Sequence, residues 1–107
     1  MPVELLNKFG LSERDIKTCT SIFEKYPAVE KVCIFGSRAQ NRHKQGSDID
    51  LAIMNDGISA KTVREIQSEF EESSLPYRID LINYPELEHD QLIDHIDRLG
   101  IPFYTKA

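Results

Sequence analysis

The fold is decided by residues 29–54, which read VEKVCIFGSRAQNRHKQGSDIDLAIM. The run Val29–Phe35 is rich in β-branched and aromatic residues and stops at Gly36-Ser37, which is typical of a buried strand. From Asp48 to Met54, apolar and polar positions alternate with the period of two that a half-buried strand requires. The stretch therefore predicts two strands joined by a polar link over residues 38–47.

Outside this stretch, the sequence predicts three helices and one more strand. In chain order they are a helix that opens with a capping box at Ser12-Glu13-Arg14-Asp15 and stops at Pro27, a helix capped by Ser59 that ends near Ser73-Ser74, a strand over Tyr77–Asn83, and a helix from near Pro85 to Leu99. The polar link also fits a short helix from Arg38, and Ile101–Tyr104 is expected to be a short extended tail with Tyr104 exposed. This order predicts an α+β domain with a three-stranded sheet flanked by helices, and it leaves the relative direction of the first two strands open.

The composition is that of one globular domain. The 107 residues fit a single domain over 1–107, and the 40% of hydrophobic and 29% of charged residues exclude a disordered chain. No apolar run reaches the roughly 18 residues that a membrane span needs, and the N-terminus lacks a signal pattern, so we expect a cytoplasmic protein with no membrane partner. Cys19 and Cys33 lack the spacing of a disulfide framework, so we expect two reduced thiols that face the core.

The charge of the chain is acidic, with 13 basic against 18 acidic side chains and a formal net charge of −5. Such a chain is a poor candidate for binding nucleic acid directly. The basic residues gather in the polar link, at Arg38, Arg42 and Lys44. We expect the histidines, His43 in this link and His89 and His95 in the acidic last helix, to be exposed to solvent.

Two polar features lie at the ends of the first two strands. Gly36-Ser37 ends the first strand where the backbone can approach a ligand and offer N–H groups to a phosphate, although the same pair is also found in ordinary turns. Asp48 and Asp50 are two positions apart on the second strand, so both carboxylates lie on one face, about 7 Å apart at their Cα atoms. Because like charges repel, they need a metal ion or a basic partner such as Arg38 or Arg42; a solvated face is the alternative.

A third carboxylate lies in the next strand. Asp80 is flanked by Ile79 and Leu81, and an aspartate buried in an apolar strand needs a partner, for which Arg78 is one candidate. If the two strands are neighbours, Asp80 faces Asp48 and Asp50. Three carboxylates would then form a hard oxygen site of the kind that Mg²⁺ prefers. Together with a phosphate-binding turn, such a site has the parts that nucleotidyl transfer requires.

These motifs resemble those of the DNA polymerase β-type nucleotidyltransferases. The resemblance rests on Gly36-Ser37-Arg38-Ala39, on Ser47-Asp48-Ile49-Asp50-Leu51 and on the single Asp80, and it is strongest to the minimal nucleotidyltransferases, over roughly residues 12–104. That family often continues Gly-Ser-Arg-Ala-Arg-Gly, whereas Gln40-Asn41 follow Ala39 here. The resemblance implies a small mixed sheet flanked by helices. It also implies a partner, because these proteins are typically encoded beside a HEPN-domain toxin that they neutralise.

The resemblance also implies a role for each site residue. Asp48 and Asp50 would hold two Mg²⁺ ions, and Asp80 would complete one metal site and help to deprotonate the attacking hydroxyl. Gly36 and Ser37 would hold the β- and γ-phosphates of the NTP, and Arg38 would neutralise a phosphate.

The leading hypothesis is a Mg²⁺-dependent enzyme that transfers AMP from ATP to a hydroxyl, with tyrosine as the expected acceptor, on a HEPN toxin. The chain would then be the antitoxin of a hetero-oligomer, because 107 residues hold a catalytic core without an acceptor domain. Two alternatives stay open. One is a non-catalytic antitoxin that blocks its partner sterically, and the other is a nucleotidyltransferase that acts on a small molecule.

Overall fold

The computed structural model describes residues 9–42 and 46–106 and shows a mixed four-stranded sheet in the order β3-β2-β1-β4. The strands are β1 (Lys31–Phe35), β2 (Ile49–Ile53), β3 (Ile79–Asn83) and β4 (Ile101–Thr105). The α-helices in the described part of the chain are α1 (Glu13–Glu24), α2 (Ala60–Glu72) and α3 (Asp90–Leu99). The predicted α+β class with a mixed sheet is confirmed, but the predicted number of three strands is wrong.

The additional strand is the segment that was expected to be a tail. β4 pairs antiparallel with β1, and Tyr104 lies opposite Val32. Tyr104 is buried at 7% exposure, with its ring centroid 5.4 Å from that of Phe23, so the expectation that it is exposed is wrong. Pro102 weakens the strand signal in the sequence, but proline is tolerated here because β4 forms an edge of the sheet.

The central strand pairs fix the position of the candidate site. β1 and β2 are antiparallel, with Phe35 opposite Asp50, whereas β2 and β3 are parallel, with Asp50 opposite Asp80. The side chain of Gln67 in α2 secures the free edge of β3, since it donates to the carbonyl of Ile79 at 2.8 Å and accepts from the amide of Leu81 at 3.2 Å.

The two faces of the sheet are covered by different helices. α1 and α2 pack on the face formed by the alternating apolar residues of β2, and together they enclose the main core, which includes Phe23, Ile34, Leu51, Ile66 and Phe70. α3 covers part of the other face, where Phe35, Ala52 and Ile96 form a smaller cluster. The two cysteines are free and buried, as predicted.

The helices begin at the predicted caps, except that the last helix starts later than predicted and has a histidine cap. Ser12 forms the predicted capping box with Asp15, and Ser59 caps α2. The last helix begins at Asp90 rather than near Pro85, because Pro85 lies in a 3₁₀ turn over Tyr84–Glu86. The side chain of His89 caps α3 by accepting from the amide of Leu92 at 3.1 Å, so His89 is exposed as predicted but also stabilises the helix start.

The helices over residues 9–42 and 46–106 are all too short or too polar to cross a membrane.

Candidate active site

The site begins where β1 ends, at Gly36. Its φ of +77° is a conformation that L side chains rarely adopt. The carboxylate of Asp50 also fills the space that a Cβ on Gly36 would need. The φ alone disfavours any other residue here, and an added Cβ would also force the Asp50 carboxylate to move, which places a catalytic candidate directly against the predicted phosphate-binding turn.

The backbone after Gly36 closes a tight turn rather than the short helix that the polar link also fitted. The amide of Asn41 donates to the carbonyl of Arg38 at 3.3 Å, and the amide of Arg42 donates to the carbonyl of Ser37 at 2.8 Å. This pair of bonds is the Schellman arrangement, which needs a left-handed residue at the end of the turn. Asn41 supplies it with a φ of +56°, in the place where the resembled motif has glycine, and asparagine tolerates this conformation better than most residues.

Three carboxylates gather beside this turn. Asp50 is half-buried in β2 and is the direct neighbour of Asp80 in β3, while Asp48 immediately precedes β2. Burial, and then the negative charges of Asp80 and Asp48, raise the pKa of Asp50 from 3.8 to about 6. The structure therefore brings the three predicted carboxylates together, and their catalytic roles remain predictions.

Asp80 differs from expectation in its burial. It is exposed, because β3 is an edge strand and α3 covers only part of the sheet face on which Asp80 lies. It therefore does not need a buried ion pair with Arg78.

The three carboxylates fit Mg²⁺ that is also coordinated by the phosphates of the bound nucleotide. Among residues 9–42 and 46–106, no three His, Cys, Asp or Glu side chains are close enough to hold a metal on their own. Mg²⁺ is commonly bound by one or two carboxylates together with substrate phosphates, and the mutual repulsion that raises the pKa of Asp50 is relieved by such a cation. Asp48, Asp50 and Asp80 would supply the protein ligands, and the phosphates of the nucleotide would complete the coordination.

Arg38 lies beneath the turn and not on its surface. It is only 2% exposed, and its guanidinium donates to the carbonyls of Phe9 at 2.7 Å and Ser47 at 2.8 Å. These contacts favour a structural role over the predicted neutralisation of a phosphate. Arg42 is exposed, whereas His43 and Lys44 lie outside the described residues.

His95 is a site residue that the sequence interpretation missed. It was expected on a solvated helix face, but it is half-buried, with its ring centroid 6.1 Å from that of Phe35 in an edge-on contact. Phe35 is the partner of Asp50 across the strands, and positive charge on His95 lowers the pKa of Asp50. A signal existed in the spacing, since His95 follows Leu92 by three positions and so shares its helix face, but the packing of α3 on the sheet was needed to show that this face contacts Phe35.

Comparisons with known proteins agree with this geometry. The family model "Polymerase beta, Nucleotidyltransferase" matches residues 17–107. The chain is 37% identical over 84 residues to a protein of Haemophilus influenzae named "Probable protein adenylyltransferase MntA", and the match covers 78% of this chain and 74% of that protein.

Solved structures share the fold. A toxin–antitoxin crystal structure with AMP-PNP has a TM-score of 0.69 at 18% identity, over 86% of this chain and 74% of that one. A complex of the tri-AMPylated Shewanella oneidensis HEPN toxin with its MNT antitoxin has a TM-score of 0.62 at 16% identity, over 85% and 70% of the two chains. With a glycine turn in contact with a cluster of carboxylates, and with a family model that matches most of its length, this chain belongs to the polymerase beta nucleotidyltransferase family.

Proposed function

We propose that this protein is a Mg²⁺-dependent adenylyltransferase that moves AMP from ATP to a hydroxyl, by preference that of a tyrosine, on a partner HEPN toxin and so acts as its antitoxin. The observation that carries the proposal is the position of Asp50, which lies between Gly36 of the turn and Asp80 of β3. A nucleotide whose phosphates bind at the turn would have its α-phosphate beside the carboxylates.

The choice of donor and acceptor is supported by the relatives. The Haemophilus influenzae relative is named as a probable protein adenylyltransferase, one structural neighbour holds AMP-PNP, and another is an antitoxin in complex with an AMPylated HEPN toxin. Asp80 is exposed, so a hydroxyl of a partner protein has access to it. The cytoplasm, where ATP is abundant, remains the predicted location.

The proposed reaction is an in-line substitution at the α-phosphorus. The acceptor oxygen forms a bond to the α-phosphorus. At the same time, the α-phosphorus loses its bond to the oxygen that bridges the α- and β-phosphates, and pyrophosphate leaves. Asp80 accepts the proton of the hydroxyl, since it is exposed on the open side of the site. Backbone groups at Gly36 and Ser37 orient the β- and γ-phosphates.

Asp48 and Asp50 would hold the two Mg²⁺ ions, with Asp80 completing one of the sites. The ions, when bound, would neutralise the charge that develops on the phosphates and the leaving group. Asp50 must be ionised for this role, and the basic side chains of His95 and Arg38 favour its ionised form.

The test uses purified protein, Mg²⁺ and ATP labelled at the α-phosphate, mixed with lysate of the source organism. A labelled protein band that is lost in an Asp48→Asn, Asp50→Asn double variant would support the proposal, and mass spectrometry of the band would identify the partner and the modified residue. If no protein is labelled while a partner still co-purifies and is inhibited equally by the double variant, the chain is a steric antitoxin. Label in a small-molecule fraction would instead indicate a small-molecule acceptor.

A further inference from the structure

Arg38 is a buried cation that joins three separate segments of the chain. Its Nη1 donates to the carbonyl of Phe9 at 2.7 Å, and its Nε and Nη2 donate to the carbonyl of Ser47 at 3.2 and 2.8 Å. Its guanidinium carbon also lies 4.6 Å from the centre of the Tyr77 ring. These contacts tie the turn to the residues before α1, before β2 and before β3.

Such a residue is costly to bury, so its partners must compensate for the lost hydration. Arg38 is only 2% exposed, and its partners in the described chain are carbonyl oxygens and the face of an aromatic ring. Carbonyl dipoles and a ring face are both suited to a planar guanidinium, which can bridge several acceptors at once, whereas an ammonium cannot reproduce this geometry.

The segments that Arg38 holds are the ones that carry the carboxylates. Ser47 directly precedes Asp48, and Tyr77 lies three positions before Asp80. The two strands also begin together, because the amide of Ile49 donates to the carbonyl of Arg78 at 2.9 Å. A shift of Arg38 would therefore change the relative positions of the carboxylates without removing any group that touches the nucleotide.

We propose that Arg38 and Tyr77 form a clamp that positions Asp48 and Asp80 for the metal-bound nucleotide, and that Arg38 is a positioning residue and not a phosphate ligand. This proposal rests on the proposed function of the site as a nucleotide site. It assigns the basic residue of the Gly-Ser-Arg-Ala motif to the interior of the protein.

The test measures the affinity of the full chain for AMP-PNP by calorimetry over a range of Mg²⁺ concentrations. For Arg38→Lys and Tyr77→Leu, the clamp predicts that about tenfold more Mg²⁺ is needed for half-maximal AMP-PNP binding, the loss typical when the support of a metal ligand is removed. Saturating Mg²⁺ should restore the affinity to within a few-fold of the wild type. Tyr77→Phe keeps the ring face and Arg64→Gln removes an exposed charge on α2, so both should match the wild type.

The opposite pattern would overturn the clamp. If Arg38 instead contacts a phosphate, the AMP-PNP affinity of Arg38→Lys stays near that of the wild type, because lysine keeps the charge. Tyr77→Leu then leaves the affinity unchanged, and Arg38→Gln weakens it equally at all Mg²⁺ concentrations. Thermal unfolding identifies any variant that fails to fold. If Arg38→Lys fails to fold, the difference in Mg²⁺ requirement between Tyr77→Leu and Tyr77→Phe is the test of the clamp. AMP-PNP binding is measured without an acceptor, so the two proposals can fail separately. Variants that contradict the clamp leave AMP transfer by the wild-type protein unaffected. A wild-type protein that binds AMP-PNP but labels no protein would contradict the proposed function and not the clamp.

Discussion

At the scale of single residues, Asp50 is placed at a cost to stability. Its pKa in the folded chain, about 6, lies above its ordinary value of 3.8, because burial and two neighbouring carboxylates disfavour its charge. Below pH 3.8 the folded and unfolded chains both hold the proton, and as pH rises from about 4 to 6 the unfolded chain releases it first. The free energy of unfolding therefore falls over this window.

Asp50→Asn should consequently stabilise the metal-free protein. Above pH 6 we expect a gain on the order of 1 kcal/mol in the free energy of unfolding, less than the full shift implies because the group is half exposed to solvent. The gain should disappear near pH 4. Urea unfolding at both pH values checks this, and an equal gain at both would show that ionisation of Asp50 is not the cause.

Gly36 should tolerate no side chain. Gly36→Ala is strained by its φ and also collides with the Asp50 carboxylate, so we expect transfer activity to fall by about 100-fold or more. Gly57→Ala is the matched control, since Gly57 has a φ of +88° and open space around its Cβ position. It should lose stability from the same strain but keep its activity. Equal losses of activity in both variants would argue against a special contact at Gly36.

At the scale of the elements, the turn over residues 36–42 depends on a left-handed residue at its end. Asn41→Gly should keep AMP-PNP binding, because glycine adopts this conformation freely. Asn41→Val should destabilise the fold by about 1–3 kcal/mol and weaken AMP-PNP binding, because a β-branched residue resists positive φ. Calorimetry with thermal unfolding measures both effects. Unchanged nucleotide affinity in Asn41→Val would mean that the turn does not shape the phosphate site.

The edge strand β4 should contribute strongly to stability through Tyr104. Tyr104→Ala removes a ring that is buried against Phe23, and we expect a loss of about 3–5 kcal/mol in the free energy of unfolding. Thr105→Ala, in the same strand but exposed, should cost less than 1 kcal/mol. Urea unfolding compares the two variants, and a small loss for Tyr104→Ala would contradict the burial of this ring against Phe23.

At the scale of the whole molecule, the structural features that depend on local sequence patterns could be predicted, and those that depend on contacts between distant residues could not. The strands β1 and β2, the helix caps and the three carboxylates follow from periodicity, capping chemistry and motif spacing. The pairing of β4 depends on Val32, far away in the chain, and the burial of Arg38 depends on Phe9 and Tyr77. The position of His95 beside Phe35 likewise depends on how α3 packs on the sheet.

Adenylyl transfer to a partner is tested most directly by two parallel reactions that differ only in which phosphate of ATP carries the label. Purified protein, Mg²⁺ and the partner are incubated with ATP labelled at either the α- or the γ-phosphate, and the labelled protein is counted. We predict that label enters the partner from the α-phosphate alone, that pyrophosphate is released in equal amount, and that Asp48→Asn with Asp50→Asn abolishes both. Label from the γ-phosphate, or α-label that persists in the double variant, would contradict adenylyl transfer at this site.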